Sequence, residues 1–149
     1  MPQRPSASEC IEIERACERV IYAYSRALDL GDMSGAADFF AENGSMARPM
    51  APSVLIQGRE AIRAALLTRP KTLLTKHLAT NVMIDVLSSE EARGLSYLTI
   101  ISTTPPVGVD PPYVTAGPLY FGEFADRFVR EKGEWRILER RGSIQMKFG

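Results

Sequence analysis

The feature that most constrains this chain is a change of hydrophobic period near its middle, from the spacing of helices to that of strands. From Ser8 to Leu30, apolar residues recur at Ile13, Cys17, Val20, Tyr24, Ala27 and Leu28, the three-and-four spacing of an amphipathic helix. Ser8 is placed to cap its start, and Gly31 stands where a C′ residue ends it. Asp32 or Ser34 can cap a second, shorter helix through Ala36, Ala37, Phe39 and Phe40, with a stop near Asn43-Gly44. A short extended piece is expected over Ser45 to Met50. A third helix is expected from Gly58 to Arg69, with Ala61, Ile62, Ala65 and Leu66 on one face and Pro70 ending it.

Beyond Pro70 the helical period is gone. Leu73 to Leu87, Ala92 to Thr104, Leu119 to Arg130 and Trp135 to Met146 are rich in branched and aromatic residues, as four long strands would be. Short turns at Ser88 to Glu91 and Glu131 to Glu134 make the strands they join antiparallel. The order is therefore helices first and a meandering sheet afterwards, an α+β domain. The segment Pro105 to Pro118 holds five prolines and two glycines in 14 residues and must be a long loop. Both a lid over a pocket and an arm onto a neighbouring subunit are open for it.

Residues 1–149 fall in the usual range of one domain, large enough to bury a core without a metal or disulfide staple. Residues 1–7, polar and proline-bearing, read as a flexible N-terminal tail. With 18 acidic and 18 basic residues there is no net field, which argues against nucleic acid as a partner. No apolar run approaches the roughly 18 residues of a membrane span. Cys10 and Cys17 sit on one helix with Cα atoms about 10.5 Å apart, beyond the about 7 Å that a disulfide spans. Free thiols and no leading apolar segment give the cytoplasm as the expected location.

His77 is the only histidine. Strand alternation groups it with Thr75, Ala79, Asn81 and Met83 on a mixed face, opposite an apolar face of Leu74, Leu78, Val82, Ile84 and Val86. Two readings are open: a hydrogen-bonded structural residue, or a cavity imidazole able to take or give a proton, with the Asn81 amide beside it. Asp29 occupies the last turn of the first helix, where the helix dipole opposes a carboxylate at a cost of up to about 1 kcal/mol. Such a broken local rule marks either a screened, solvated side chain or a functional one. On an ideal helix Tyr22 and Asp29 point about 20° apart and Tyr24 and Asp29 about 140° apart, so all three converge only if the helix end is distorted.

Asp126, Arg130, Arg136, Arg140 and Arg141 place many charges on two strands expected to pair, mostly as exposed ion pairs. Arg136 and Arg140 share a face with Leu138, and either could reach inward as an anion clamp or a carboxylate partner. One histidine and no clustered cysteines argue against a transition-metal site. There is neither a phosphate-cradling glycine loop nor a nucleophile elbow. Acid and base catalysis by side chains remains, with no cofactor.

The order of elements, with Ala27-Leu28-Asp29-Leu30-Gly31-Asp32, Lys76-His77-Leu78-Ala79-Thr80-Asn81, and Asp126-Arg127-Phe128-Val129-Arg130 leading to Gly133-Glu134-Trp135-Arg136-Ile137, resembles the SnoaL-like group of the nuclear transport factor 2-like superfamily. The resemblance implies three helices on a strongly curved antiparallel sheet, a cone around an apolar pocket. Within the group these residues are most similar to scytalone dehydratase and the bile acid 7α-dehydratases. That similarity implies Asp29 and His77 as an acid-base pair, Tyr24 as a further catalytic group, and Arg140 on the last strand as a binding residue. Tyr22 and Asn81 are further candidates for substrate binding. The pattern departs at the second polar pocket residue on the next strand, where Leu98 to Thr103 offers only Thr99, Ser102 and Thr103.

The implied activity is a cofactor-independent dehydratase acting on a small cyclic hydroxy-ketone or related apolar ring compound. The alternatives are a ketosteroid-type isomerase or polyketide cyclase, and a non-catalytic binding module resembling dioxygenase small subunits. Relatives imply a homo-oligomer, a trimer before a dimer.

Overall fold

A computed structural model describes residues 4–149. Of the expected tail over 1–7, residues 1–3 lie outside the described residues. Its end belongs to the first helix: Ser6, not Ser8, caps α1 (Ala7–Asp29). The Ser6 hydroxyl accepts from the Glu9 amide and the Glu9 carboxylate accepts from the Ser6 amide, a reciprocal capping box whose S-x-x-E spacing is readable in the sequence. Ile13, Cys17, Val20, Ile21, Tyr24 and Leu28 form its buried stripe, and Gly31, at φ 79°, ends it as expected.

α2 (Met33–Ala37) is capped by Asp32, whose carboxylate accepts from the Gly35 amide at 2.9 Å. It stops well short of Asn43. Phe40–Ala47 is instead strand β1, because the Phe39 carbonyl accepts from the Ile137 amide and the backbone beyond it pairs with the last strand. Tertiary pairing overrides the local helical reading of Phe39 and Phe40. A three-residue strand β2 (Leu55–Gln57), too short to leave a pattern, pairs antiparallel with β1. α3 (Arg59–Leu67) follows, burying Ile62 and Leu66.

Four long strands come next: β3 (Leu74–Val86), β4 (Glu91–Thr103), β5 (Leu119–Glu131) and β6 (Glu134–Phe148). They pair antiparallel in sequence order, while β1 joins β6 in parallel. The result is one six-stranded mixed sheet of order β2-β1-β6-β5-β4-β3 that curves without closing. α1 packs chiefly on β3, with the core formed by its buried stripe, Phe40, Met46, Phe128 and Ile137.

Bulges in β3 and β6 set which side chains face that core. In β3, Asn81 and Val82 together oppose Ser96, and Asn81 takes φ 50°, a left-handed conformation that asparagine tolerates. His77 and Ala79 therefore share the inner side with Val82, Ile84 and Val86, while Met83 points outward at 70% exposure. In β6, Leu138 is an extra residue, and Gln145 is another nearer the strand's end. Ile137 and Arg140 consequently both point inward, each fully buried, and Arg136 separates from Arg140. Among the described residues no helix is long and apolar enough to cross a membrane.

Candidate active site

Where the C-terminal end of α1 meets the edge strand β3, Asp29 and His77 are brought together. Asp29 Oδ1 lies 2.6 Å from His77 Nδ1, and both side chains are nearly buried. The same oxygen accepts the Thr75 hydroxyl at 2.9 Å, and Oδ2 accepts the His77 backbone amide at 2.9 Å, which covers an N–H on the open edge of the sheet. Hydrogen bonds to a charged acceptor contribute about 1.5–3 kcal/mol each, so three of them outweigh the unfavourable helix dipole of at most about 1 kcal/mol. Burial pushes the Asp29 carboxyl up. The ring and amide of His77, the imidazole's charge and the Thr75 hydroxyl together push harder the other way, leaving it below its ordinary value.

This arrangement sets the imidazole's tautomer. A carboxylate can only accept, so the neutral ring carries its proton on Nδ1 and its lone pair on Nε2. Arg69, just past α3, donates through Nη2 to the Thr75 hydroxyl, which in turn donates to Asp29. Burial lowers the Arg69 pKa, while the charge of Asp29 acts to raise it. Arg69 and Thr75 escaped the sequence reading as site residues. Thr75 was on the right face, but nothing local tied Arg69 to it.

His77 lines a cavity of about 480 Å³ whose walls come from α1, the segment after β1, the end of α3 and the inner faces of β3, β4 and β5. Most of the lining is apolar, including Leu28, Met46, Leu98, Ile100 and Phe124. Asp29 does not line it; the carboxylate stands behind the imidazole. Tyr24, 3% exposed, does line it. The 140° separation of Tyr24 and Asp29 on α1 is thus realised without distortion: one faces the cavity and the other flanks β3. Among the described residues the only hydrogen-bond partner of the Tyr24 hydroxyl is the Met46 sulfur at 3.5 Å, a weak acceptor, so the O–H can be redirected to a ligand oxygen. Burial raises the Tyr24 phenol, against the pull of nearby guanidiniums led by Arg140.

Three expected binding residues lie elsewhere. Tyr22 is 48% exposed on the opposite face of α1, among Arg15, Arg19 and Arg26, because two residues rotate a helix by 200°. Asn81 is exposed in the β3 bulge, which turns it out of the alternation that seemed to place it beside His77. Arg140 is inside but not at the cavity: two 2.8 Å bonds join it to Asp126, with both side chains fully buried. Its guanidinium stacks on Tyr24 and Phe124, with Cζ 4.7 and 4.0 Å from the ring centroids, so it braces two cavity walls from behind. The pair is thus no exposed cross-strand contact. Nor does the Pro105 to Pro118 loop form a lid, since none of it lines the cavity. Thr115 instead ties it to the Ser102 carbonyl at 3.0 Å. Burial pushes the Cys17 thiol up to about 12, which removes it as a nucleophile. Among the described residues no three His, Cys, Asp or Glu side chains converge as a metal site.

A curved sheet wrapped by helices around an apolar cavity, with an imidazole on its wall, defines an α+β fold of the nuclear transport factor 2-like, cystatin-like kind. The chain belongs to the SnoaL-like domain family, which matches residues 9–141. Among solved structures, it is similar to a protein of Novosphingobium aromaticivorans provisionally assigned as a scytalone dehydratase. That similarity has 24% identity and TM-score 0.81, covering 96% of this chain and 91% of that one. A Mycobacterium tuberculosis protein of unknown function is 24% identical with TM-score 0.73, over 95% and 76% of the two chains. A type 2 hexachlorocyclohexane dehydrochlorinase is 12% identical with TM-score 0.77, over 96% and 92%. No curated protein matches this chain.

Proposed function

We propose that the chain is a cofactor-independent lyase that eliminates water from a small cyclic hydroxy-ketone or related apolar ring compound. The observation that carries this reading is the 2.6 Å Asp29–His77 contact, which leaves Nε2 as the unprotonated nitrogen of a cavity-lining ring. Nε2 takes the proton from the carbon next to the carbonyl, and the electron pair moves onto the carbonyl oxygen, where the Tyr24 O–H donates to it. Collapse of that enolate expels the neighbouring hydroxyl, which leaves as water with the proton returned from Nε2. Asp29 touches no substrate in this scheme; it holds the tautomer and stabilises the imidazolium. Elimination is favoured over isomerisation because two of the structural relatives are named for eliminations, of water and of hydrogen chloride.

Self-association belongs to the same proposal. On the outer face of β3 and β4, Met83, Leu95 and Tyr97 are 70%, 60% and 53% exposed, an apolar surface suited to another copy.

The test is a panel of cyclic hydroxy-ketones followed by ultraviolet absorbance of the conjugated product and by mass, since only elimination loses water. His77→Gln is expected to lower kcat by about 10²- to 10⁴-fold with its melting temperature preserved. A folded variant that retains full turnover would refute the assignment.

A further inference from the structure

The cavity wall carries positive charge without a matching carboxylate. Arg48, just after β1, and Arg69, just after α3, both line it, and among the described residues no aspartate or glutamate does. Arg48 is exposed, and its guanidinium has no hydrogen-bond or ion-pair partner among the described residues. Arg69 commits only Nη2, to Thr75 and to the Leu73 carbonyl at 3.4 Å, so among the described residues Nε and Nη1 have no acceptor. Asp29, whose charge reaches Arg69, already accepts three hydrogen bonds and is screened from the cavity by the imidazole. Arg48 and Arg69 thus stand on the wall of one and the same cavity, which Tyr24 and His77 also line.

Two like charges beside an apolar space repel, and a planar anion that accepts from both relieves the repulsion. A developing enolate is already served by Tyr24, which leaves the arginines for a charge the ligand carries permanently. We propose that the substrate is an acidic ring compound, its apolar ring filling the cavity and its carboxylate, or a comparably acidic substituent, held by Arg48 and Arg69. This deepens the lyase reading and rests on it for the reaction, whereas the anion site is read by binding alone.

The probes are 2-naphthoate and its uncharged methyl ester, titrated calorimetrically into the full chain. The anion is expected to bind tighter by on the order of tenfold or more, the scale of charge-assisted hydrogen bonds. Arg48→Gln, at an exposed position, and Arg69→Gln are each expected to bring the ratio towards one, with circular dichroism melting to show that the variants fold. His77→Gln is expected to keep the ratio. An ester that binds as tightly as the anion, a ratio unchanged in both arginine variants, or no binding of either probe would overturn the proposal. Anion preference without His77-dependent turnover sinks the lyase reading and leaves the anion site; His77-dependent turnover without anion preference does the reverse.

Discussion

Replacing Asp29 with Asn changes little in shape, yet it is expected to reverse the tautomer of His77. The carboxylate accepts three hydrogen bonds, two on Oδ1 and one on Oδ2. An amide offers one oxygen and one NH₂. If the oxygen takes the Oδ1 position, the NH₂ faces the His77 backbone N–H, donor against donor. If it takes the Oδ2 position, the backbone bond survives and the NH₂ faces Nδ1, which must then carry the lone pair. In the second orientation the only donor facing the NH₂ is the Thr75 hydroxyl, which unlike a backbone N–H can turn and accept instead, so the ring proton moves to Nε2 and the base is lost. Converting three charge-assisted bonds to neutral ones costs about 3–4 kcal/mol, and relief of the helix dipole returns up to about 1 kcal/mol. The net is about 3 kcal/mol, or a melting temperature lower by roughly 6–12 °C in a domain of this size.

With a single histidine in the chain, nitrogen NMR of a ¹⁵N-labelled sample reads the tautomer without assignment. The wild type is expected to show Nδ1–H and the variant Nε2–H. The same tautomer in both would refute the reasoning. The pH dependence follows from the lowered Asp29 pKa: the stability it supplies is fully present above the ordinary carboxylate range and lost as pH falls through the lowered value. The difference in stability between wild type and Asp29→Asn should therefore hold steady at neutral pH and shrink below about pH 4.

Two further outcomes are expected. Asp126→Asn leaves Arg140 charged in a fully buried site and should cost about 3–5 kcal/mol, a fall of roughly 6–20 °C in thermal melting. Pairing Asp126→Leu with Arg140→Met should cost less than the single change. Leu95→Glu on the outer sheet face is expected to shift light-scattering mass towards the monomer, and a wild type already monomeric would remove the self-association proposal.

Local chemistry made much of this protein legible. The strand expected over Leu73 to Leu87 is Leu74–Val86, and the helix expected to end at Leu30 ends at Asp29, because hydrophobic period and turn residues act within a few positions of one another. Asp29 stood out for the same reason, as a carboxylate where the helix dipole disfavours one, and the structure supplies the compensating donors from a strand far away in sequence. Arg69 and Thr75 gave no such signal. Each is unremarkable locally and gains its role only when the end of α3 is laid beside β3.

What the amino-acid order determined by itself was the kind and sequence of the long elements, α1, α3 and β3 to β6, and the presence of one imidazole on a strand. Which way the side chains face was decided by the tertiary structure. Asn81 and Leu138 each insert one residue into a ladder, and with a period of two a single insertion reverses inside and outside for the residues that follow, up to any further bulge. That reversal put Asn81 outside and carried Arg140 into the core beside Asp126. Whether a strand bulges is settled by the partner it pairs with and by the core it must fill, and neither is written in its own residues.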